Sequence, residues 1–217
     1  MKKKMVTKTA IAISAILMVV WAILGAGTSI AWFKDESPTV KNVFDIGELD
    51  LLLSHKVGND YVEVKEDTKV FDEEAIYEPG YVQVVYLKIE NSGDVDFDYK
   101  LSVVPDLQTL VMPKNVYGYE IYLPQYLEFG VIIEEDEAEL QQQVADRGVA
   151  EQKATSALST YNSVPDTLEA GETHYAAVIL RMPKEVGNAA NYRGDTPPSV
   201  ELGVTVKATQ VGTEFKD

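Results

Sequence analysis

Two histidines, His55 and His174, and one run of alternating aspartates, Asp94, Asp96 and Asp98, are the residues of this chain with the chemistry to hold a metal ion. Zinc hydrolysis asks for three protein ligands and an open position, commonly with two histidines one helical turn apart and a glutamate as base. His55 and His174 lie far apart in sequence, and neither belongs to a His-Glu-x-x-His helix. Their plain reading is two separate surface or strand-end imidazoles. Every second residue of a strand lies on one face, about 7 Å from the next, so the three aspartates could gather calcium at a loop end. They lack the twelve-residue EF-hand loop and its glycine. A solvated sheet face accounts for them without a ligand, and for Asp72, Glu73 and Glu74 as well. The sequence calls for no cofactor, and these residues are weak candidates for calcium or zinc.

Other chemistries lack their parts. There is no cysteine, so no thiol nucleophile and no thiolate cluster, and no serine sits on a nucleophile elbow. Gly25-Ala26-Gly27 resembles a phosphate loop but has no lysine to complete it. No catalytic residue is assigned. Arg193-Gly194-Asp195 spells a cell-adhesion tripeptide in a loop rich in such residue types. The 12 tyrosines, against 6 phenylalanines, suit sheet positions where the ring packs and the hydroxyl reaches solvent.

The residues that organise the chain stand at its start. Lys2, Lys3, Lys4 and Lys8 precede an uncharged stretch, residues 9–33, with an apolar centre at 10–24. A basic end followed by an apolar helix is the layout of a secretory signal. Ser29 and Ala31 supply small residues at the minus three and minus one positions, so cleavage is expected between Ala31 and Trp32. The alternative is an uncleaved anchor, since a run of this length could cross a bilayer. In either case the rest of the chain is exported, and the membrane is met only through the leader.

Removing residues 1–31 takes away four lysines and no acid, moving the formal charge from −16 to −20. Such a surface repels nucleic acid and anionic headgroups. Without disulfides, an exported domain of this size must be held by burial and sheet hydrogen bonds. Absence of cysteine and of Asn-x-Ser/Thr sequons fits a Gram-positive bacterium, though the sequence does not identify the host.

Three regions are expected: a signal peptide at 1–31, a flexible N-terminal segment at 32–41, and a β-sandwich domain at 42–213. Residues 43–54 read as one strand with a glycine break near its start, Leu49, Leu51 and Leu53 sharing an apolar face. A short strand follows at 61–64. Residues 81–90 form the strongest strand, then 91–94 a hairpin loop, and a return strand of strict period two carries Val95, Phe97, Tyr99, Leu101 and Val103 inward and Ser102 outward. One or two strands are expected in 117–133, broken at Pro124. Leu140, Val144, Ala145, Val149, Ala154, Ala157 and Leu158 recur at helical spacing, predicting a helical insert at about 135–161 interrupted near Gly148. Strands at 173–182 and 199–211, separated by a loop, complete the domain. The fold class expected is mainly β: an antiparallel jelly-roll or immunoglobulin-like sandwich with a helical insertion.

Three stretches together resemble a known family. The exit from the leader, Gly25-Ala26-Gly27-Thr28-Ser29-Ile30-Ala31-Trp32-Phe33-Lys34-Asp35, then Phe44-Asp45-Ile46-Gly47-Glu48-Leu49-Asp50-Leu51, and later Pro79-Gly80 ahead of Tyr86-Leu87-Lys88-Ile89-Glu90-Asn91-Ser92-Gly93, look like the TasA and camelysin (CalY) proteins of Firmicutes. The last strand, Val206-Lys207-Ala208-Thr209-Gln210, is similar too, and the helical insert is matched by no family motif. The resemblance implies a jelly-roll subunit of extracellular matrix fibres, freed by a SipW-type signal peptidase and found in the biofilm matrix or at the cell surface. It further implies self-association, in which the N-terminal segment with Trp32, Phe33, Lys34 and Asp35 adds as a strand to the next subunit. The alternatives are a camelysin-like surface metallopeptidase and a monomeric binding domain anchored by its leader.

Overall fold

The computed structural model describes residues 43–45, 49–72, 75–145, 147–161 and 165–215. The leader, the cleavage residues Ser29, Ala31 and Trp32, the donor segment 32–41 and Gly47 lie outside them.

Two sheets make up the described domain. In one, β1 (Val43–Asp45), β10 (Ser199–Gln210), β5 (Phe97–Val111) and β8 (Asp166–Leu168) lie side by side in that order. In the other the order is β3 (Asp60–Glu63), β2 (Leu51–Val57), β4 (Val82–Asn91), β9 (Thr173–Arg181), β6 (Glu128–Glu134) and β7 (Ser156–Ala157). Every pairing is antiparallel except β1 with β10, which is parallel.

Alternation explains how the sheets meet. Leu53, Leu87, Ile89, Val178 and Leu180 of the six-stranded sheet share one core with Phe97, Leu101, Val103, Val204 and Val206 of the four-stranded sheet. Fully burying side chains of this size stabilises the fold by roughly 1.5–3 kcal/mol each. The other face of the six-stranded sheet is also covered. Helix α1 (Glu137–Val144) and helix α2 (Arg147–Lys153) form the insertion between β6 and β7, and Leu140, Val144, Ala150 and Ala154 pack on Ile132, Ala177 and Ile179. That cover is why β9 reads as a continuous apolar run. The Asp136 carboxylate caps α1 by accepting from the N–H groups of Ala138 (2.9 Å) and Glu139 (3.0 Å).

Several expectations need correction. Residues 43–54 are two strands in two different sheets: β1 beside β10, then β2 beside β3 and β4. Residues 91–94 are not a hairpin loop, because β4 and β5 never pair; the chain crosses from one sheet to the other there. Alternation on both sides of a polar turn reads the same whether the strands pair or face each other across a core. Val95 is exposed at the crossover, and Ser102, expected outward, is buried. Strand β5 continues past Val103 to Val111 despite Pro105. The proline is tolerated because β8 pairs with β5 only at Phe97, Asp98 and Tyr99, so no described ladder needs the missing donor. Within 117–133 there is one strand, β6, preceded by a 3-10 turn, Leu123–Tyr126, in which Pro124 takes an early position. The two helices are parted beyond Ala145, with Gly148 inside α2, and Ala157 and Leu158 follow the helices.

Gly130 sets how closely the insertion sits on the sheet. A Cβ there would stand 2.3 Å from the Lys153 carbonyl oxygen and 2.8 Å from Ala154 Cα, so backbone meets backbone.

Candidate assembly edge

A protein that adds strands to its neighbours is decided at its sheet edges, where unpaired N–H and C=O groups can template another chain. The strands that end the two sheets are all short: β1 and β8 have three residues each, β3 four and β7 two. Short edge strands limit open-ended pairing. They lie beside much longer ones, β10 with 12 residues and β5 with 15.

The N-terminal edge lies next to the sequence-predicted donor segment. Val43, Phe44 and Asp45 stand opposite Thr205, Val206 and Lys207 of β10. The chain then leaves this sheet, and β2 begins at Leu51 in the other. Of the family-motif residues, Leu49 packs partly on the core, Asp50 is exposed and Leu51 is buried, as alternation requires. The Asp50 carbonyl accepts from the Ser92 N–H at 2.9 Å, tying the entry of β2 to the crossover after β4.

That crossover turns on Asn91, which is buried. Its side-chain amide donates to the carbonyls of Val95 (2.9 Å) and Leu168 (3.2 Å), and its Oδ1 accepts from the Gly93 N–H (3.1 Å). One side chain therefore joins the ends of β4 and β8, which lie in different sheets. The Asn-Ser-Gly spelling signals a turn; what it does not signal is that this turn changes sheets.

His55 and His174 do not converge. The register sets His55 opposite Leu87 and His174 opposite Ile89, with β4 between them, so two strand spacings of about 4.8 Å each separate the columns. Burial pushes the His55 pKa down. His174 is buried, and its Nδ1 lies 3.0 Å from the Tyr99 hydroxyl. Asp166, opposite Tyr99 on β8, stands close enough to feel the His174 charge. Burial pushes the Asp166 carboxyl up, His174 opposing, and pushes the Tyr99 phenol up. The sequence carried no sign of this cluster beyond an aromatic on the inward face of β5.

The aspartate trio is engaged at home. Asp96 Oδ1 accepts from the Ala170 N–H at 2.8 Å, and Asp98 Oδ1 from the Thr167 hydroxyl at 2.6 Å, so both hold the turn that follows β8 or the strand itself, while Asp94 is exposed. Among the described residues no three His, Asp or Glu side chains gather as a metal site. Arg193, Gly194 and Asp195 are exposed, in a loop that the Arg193 N–H ties to the Lys114 carbonyl at 2.8 Å.

No family model and no curated protein matches the chain. Among solved structures, the ASH/PapD-like domain of human CEP192 (PapD-like domain 7) aligns over 87% of this chain and 97% of its own length, at 12% identity and a TM-score of 0.28. A superposition that loose carries no argument about fold family or role.

Proposed function

We propose that this chain is a secreted structural subunit of extracellular matrix fibres, a sandwich of the jelly-roll or immunoglobulin-like kind that polymerises by donating its N-terminal strand after signal-peptide cleavage. The supporting observation is the position of β1: three residues long, parallel to the final strand β10, at the edge of its sheet, and directly downstream of the segment 32–41. A strand held by so short a register at an edge is one that a second copy can replace at small cost, since the exchanged contacts are the same ones. The other sheet ends, short and already turned into loops, favour one designated route of addition over indiscriminate stacking.

Cleavage comes first in this reading, because a tail held in the membrane cannot leave its own subunit. A SipW-type peptidase frees Trp32 and Phe33, and the product stays at the cell surface or in the matrix. Catalysis has no part in it, and neither calcium nor zinc is needed. Negative-stain microscopy of the exported chain, with mass spectrometry of its N-terminus, tests the proposal. Fibres from a chain beginning at Trp32, and none from a chain lacking residues 32–45, are expected. Fibres that persist without that segment overturn it.

A further inference from the structure

We propose that the tyrosine-rich knuckle formed by residues 113–122 and 191–195 is a homotypic contact, on which a second copy of this chain docks knuckle to knuckle. The knuckle is built as a fixed object. Lys114 bridges Glu120 and Asn115 bridges Tyr192, joining three short segments side by side. Asn115 is buried and fully used: its Oδ1 accepts from the N–H groups of Tyr117 (3.0 Å) and Tyr119 (2.9 Å), its Nδ2 donates to the Ala189 carbonyl (3.2 Å), and its own N–H donates to the Tyr119 carbonyl (2.7 Å). Gly118 closes the turn at φ +89°, and the wholly buried Ile121 anchors the returning segment.

On this rigid turn the rings face outward. Tyr117 is 64% and Tyr119 72% exposed, with Tyr122 and Tyr192 beside them at 39% and 38%. Tyrosine brings large contact area for few rotatable bonds, and a turn already pinned by Asn115 loses little freedom on docking. Exposed aromatics grouped this way mark an interaction surface.

Charge identifies the occupant. Two copies of a chain at −16 repel over most of their surface. The knuckle's four charged residues, Lys114 and Arg193 against Glu120 and Asp195, sum to zero. A patch carrying both signs in equal number is self-complementary: across a twofold axis each cation can meet the partner's anion. An acidic partner is repelled by the surrounding surface, and a basic one finds no excess of anions here. This contact is separate from the N-terminal strand and would pair chains, or finished fibres, side by side.

The chain has no cysteine, so a single introduced one reports proximity without ambiguity. Val116→Cys on the knuckle is expected to form disulfide dimers under mild oxidation at least tenfold faster than Asp94→Cys, which lies before the opposite end of β5. In the same assay on a Val116→Cys background, Tyr117→Ser with Tyr119→Ser should slow cross-linking at least tenfold. Lys114→Glu with Arg193→Glu should do the same alone, and recover when mixed with a chain carrying Glu120→Lys and Asp195→Lys. That recovery cannot come from misfolded protein. Equal rates at 116 and 94, or no dependence on the tyrosines, overturns the homotypic contact and leaves the fibre proposal untouched; loss of fibres on N-terminal truncation with cross-linking preserved does the reverse.

Discussion

The Tyr99 hydroxyl and the His174 Nδ1, 3.0 Å apart, tie the two sheets of this domain together by a hydrogen bond through its core, Tyr99 rising from β5 and His174 from β9. With the imidazole neutral and its proton on Nε2, the phenol donates and each polar group is satisfied by the other. A buried pair of this kind costs little while complete and much when half of it is removed. Tyr99→Phe should therefore destabilise the domain by about 1–3 kcal/mol. In a chain of this size each kcal/mol lowers the melting temperature by roughly 2–4 °C. Thermal unfolding followed by circular dichroism checks it, and an unchanged melting point would mean that the bond contributes nothing.

Asp166 stands beside that pair, and burial raises its pKa above the ordinary 3.8. The folded state thus holds this proton more tightly than the unfolded chain does. The associated stability is fully present below pH 3.8 and is lost as pH rises through the folded value. Asp166→Asn should flatten this part of the profile and raise stability at neutral pH relative to the native residue. Urea titrations at several pH values between 3 and 7 read it directly; a variant less stable at pH 7 would show that attraction to His174 outweighs the cost of burial.

Gly130 can carry no side chain without moving the insertion. The Cβ of Gly130→Ala would lie 2.3 Å from the Lys153 carbonyl oxygen, a backbone atom that cannot swing aside. Overpacking of this sort costs about 1–3 kcal/mol. Hydrogen exchange should show the loss first in α1 and α2, with β5 and β10 still protected. Uniform loss of protection would mean that the insertion is not a separable layer.

Asn91→Ala removes three hydrogen bonds at the place where the chain changes sheets. Each net bond contributes roughly 0.5–1.5 kcal/mol, so a loss of about 2–4 kcal/mol is expected. Asn91→Asp keeps the acceptor for Gly93 and deletes both donors, and should fall in between. Equal effects of the two substitutions, measured by denaturant unfolding, would place the value of this residue in the Gly93 turn alone.

Much of the β structure was legible because apolar alternation is a local property. Leu51 and Leu53, the run from Phe97 to Val103, and Leu202 to Val206 all face the core they were expected to face, and Leu140 and Val144 lie under the helices. The Asp136 cap was foreshadowed only as a cluster of acids at the start of a helix. Ser102 was misplaced because period two says which residues share a face, and nothing about whether the other face is covered.

The amino-acid sequence by itself determined the exported character expected of the chain, the inward residues of each strand, the break into helices after β6, and the absence of thiol chemistry. These follow from composition and from spacing along one stretch of backbone, where the physics is that of near neighbours. The tertiary structure alone decided that residues 43–54 serve two sheets, that Asn91 turns the chain between layers, that His174 meets Tyr99 instead of His55, and that Tyr117, Tyr119 and Tyr192 share one rigid knuckle. Each is a pairing between residues far apart in sequence, and identical local patterns fit several such pairings until the burial of a common core selects one.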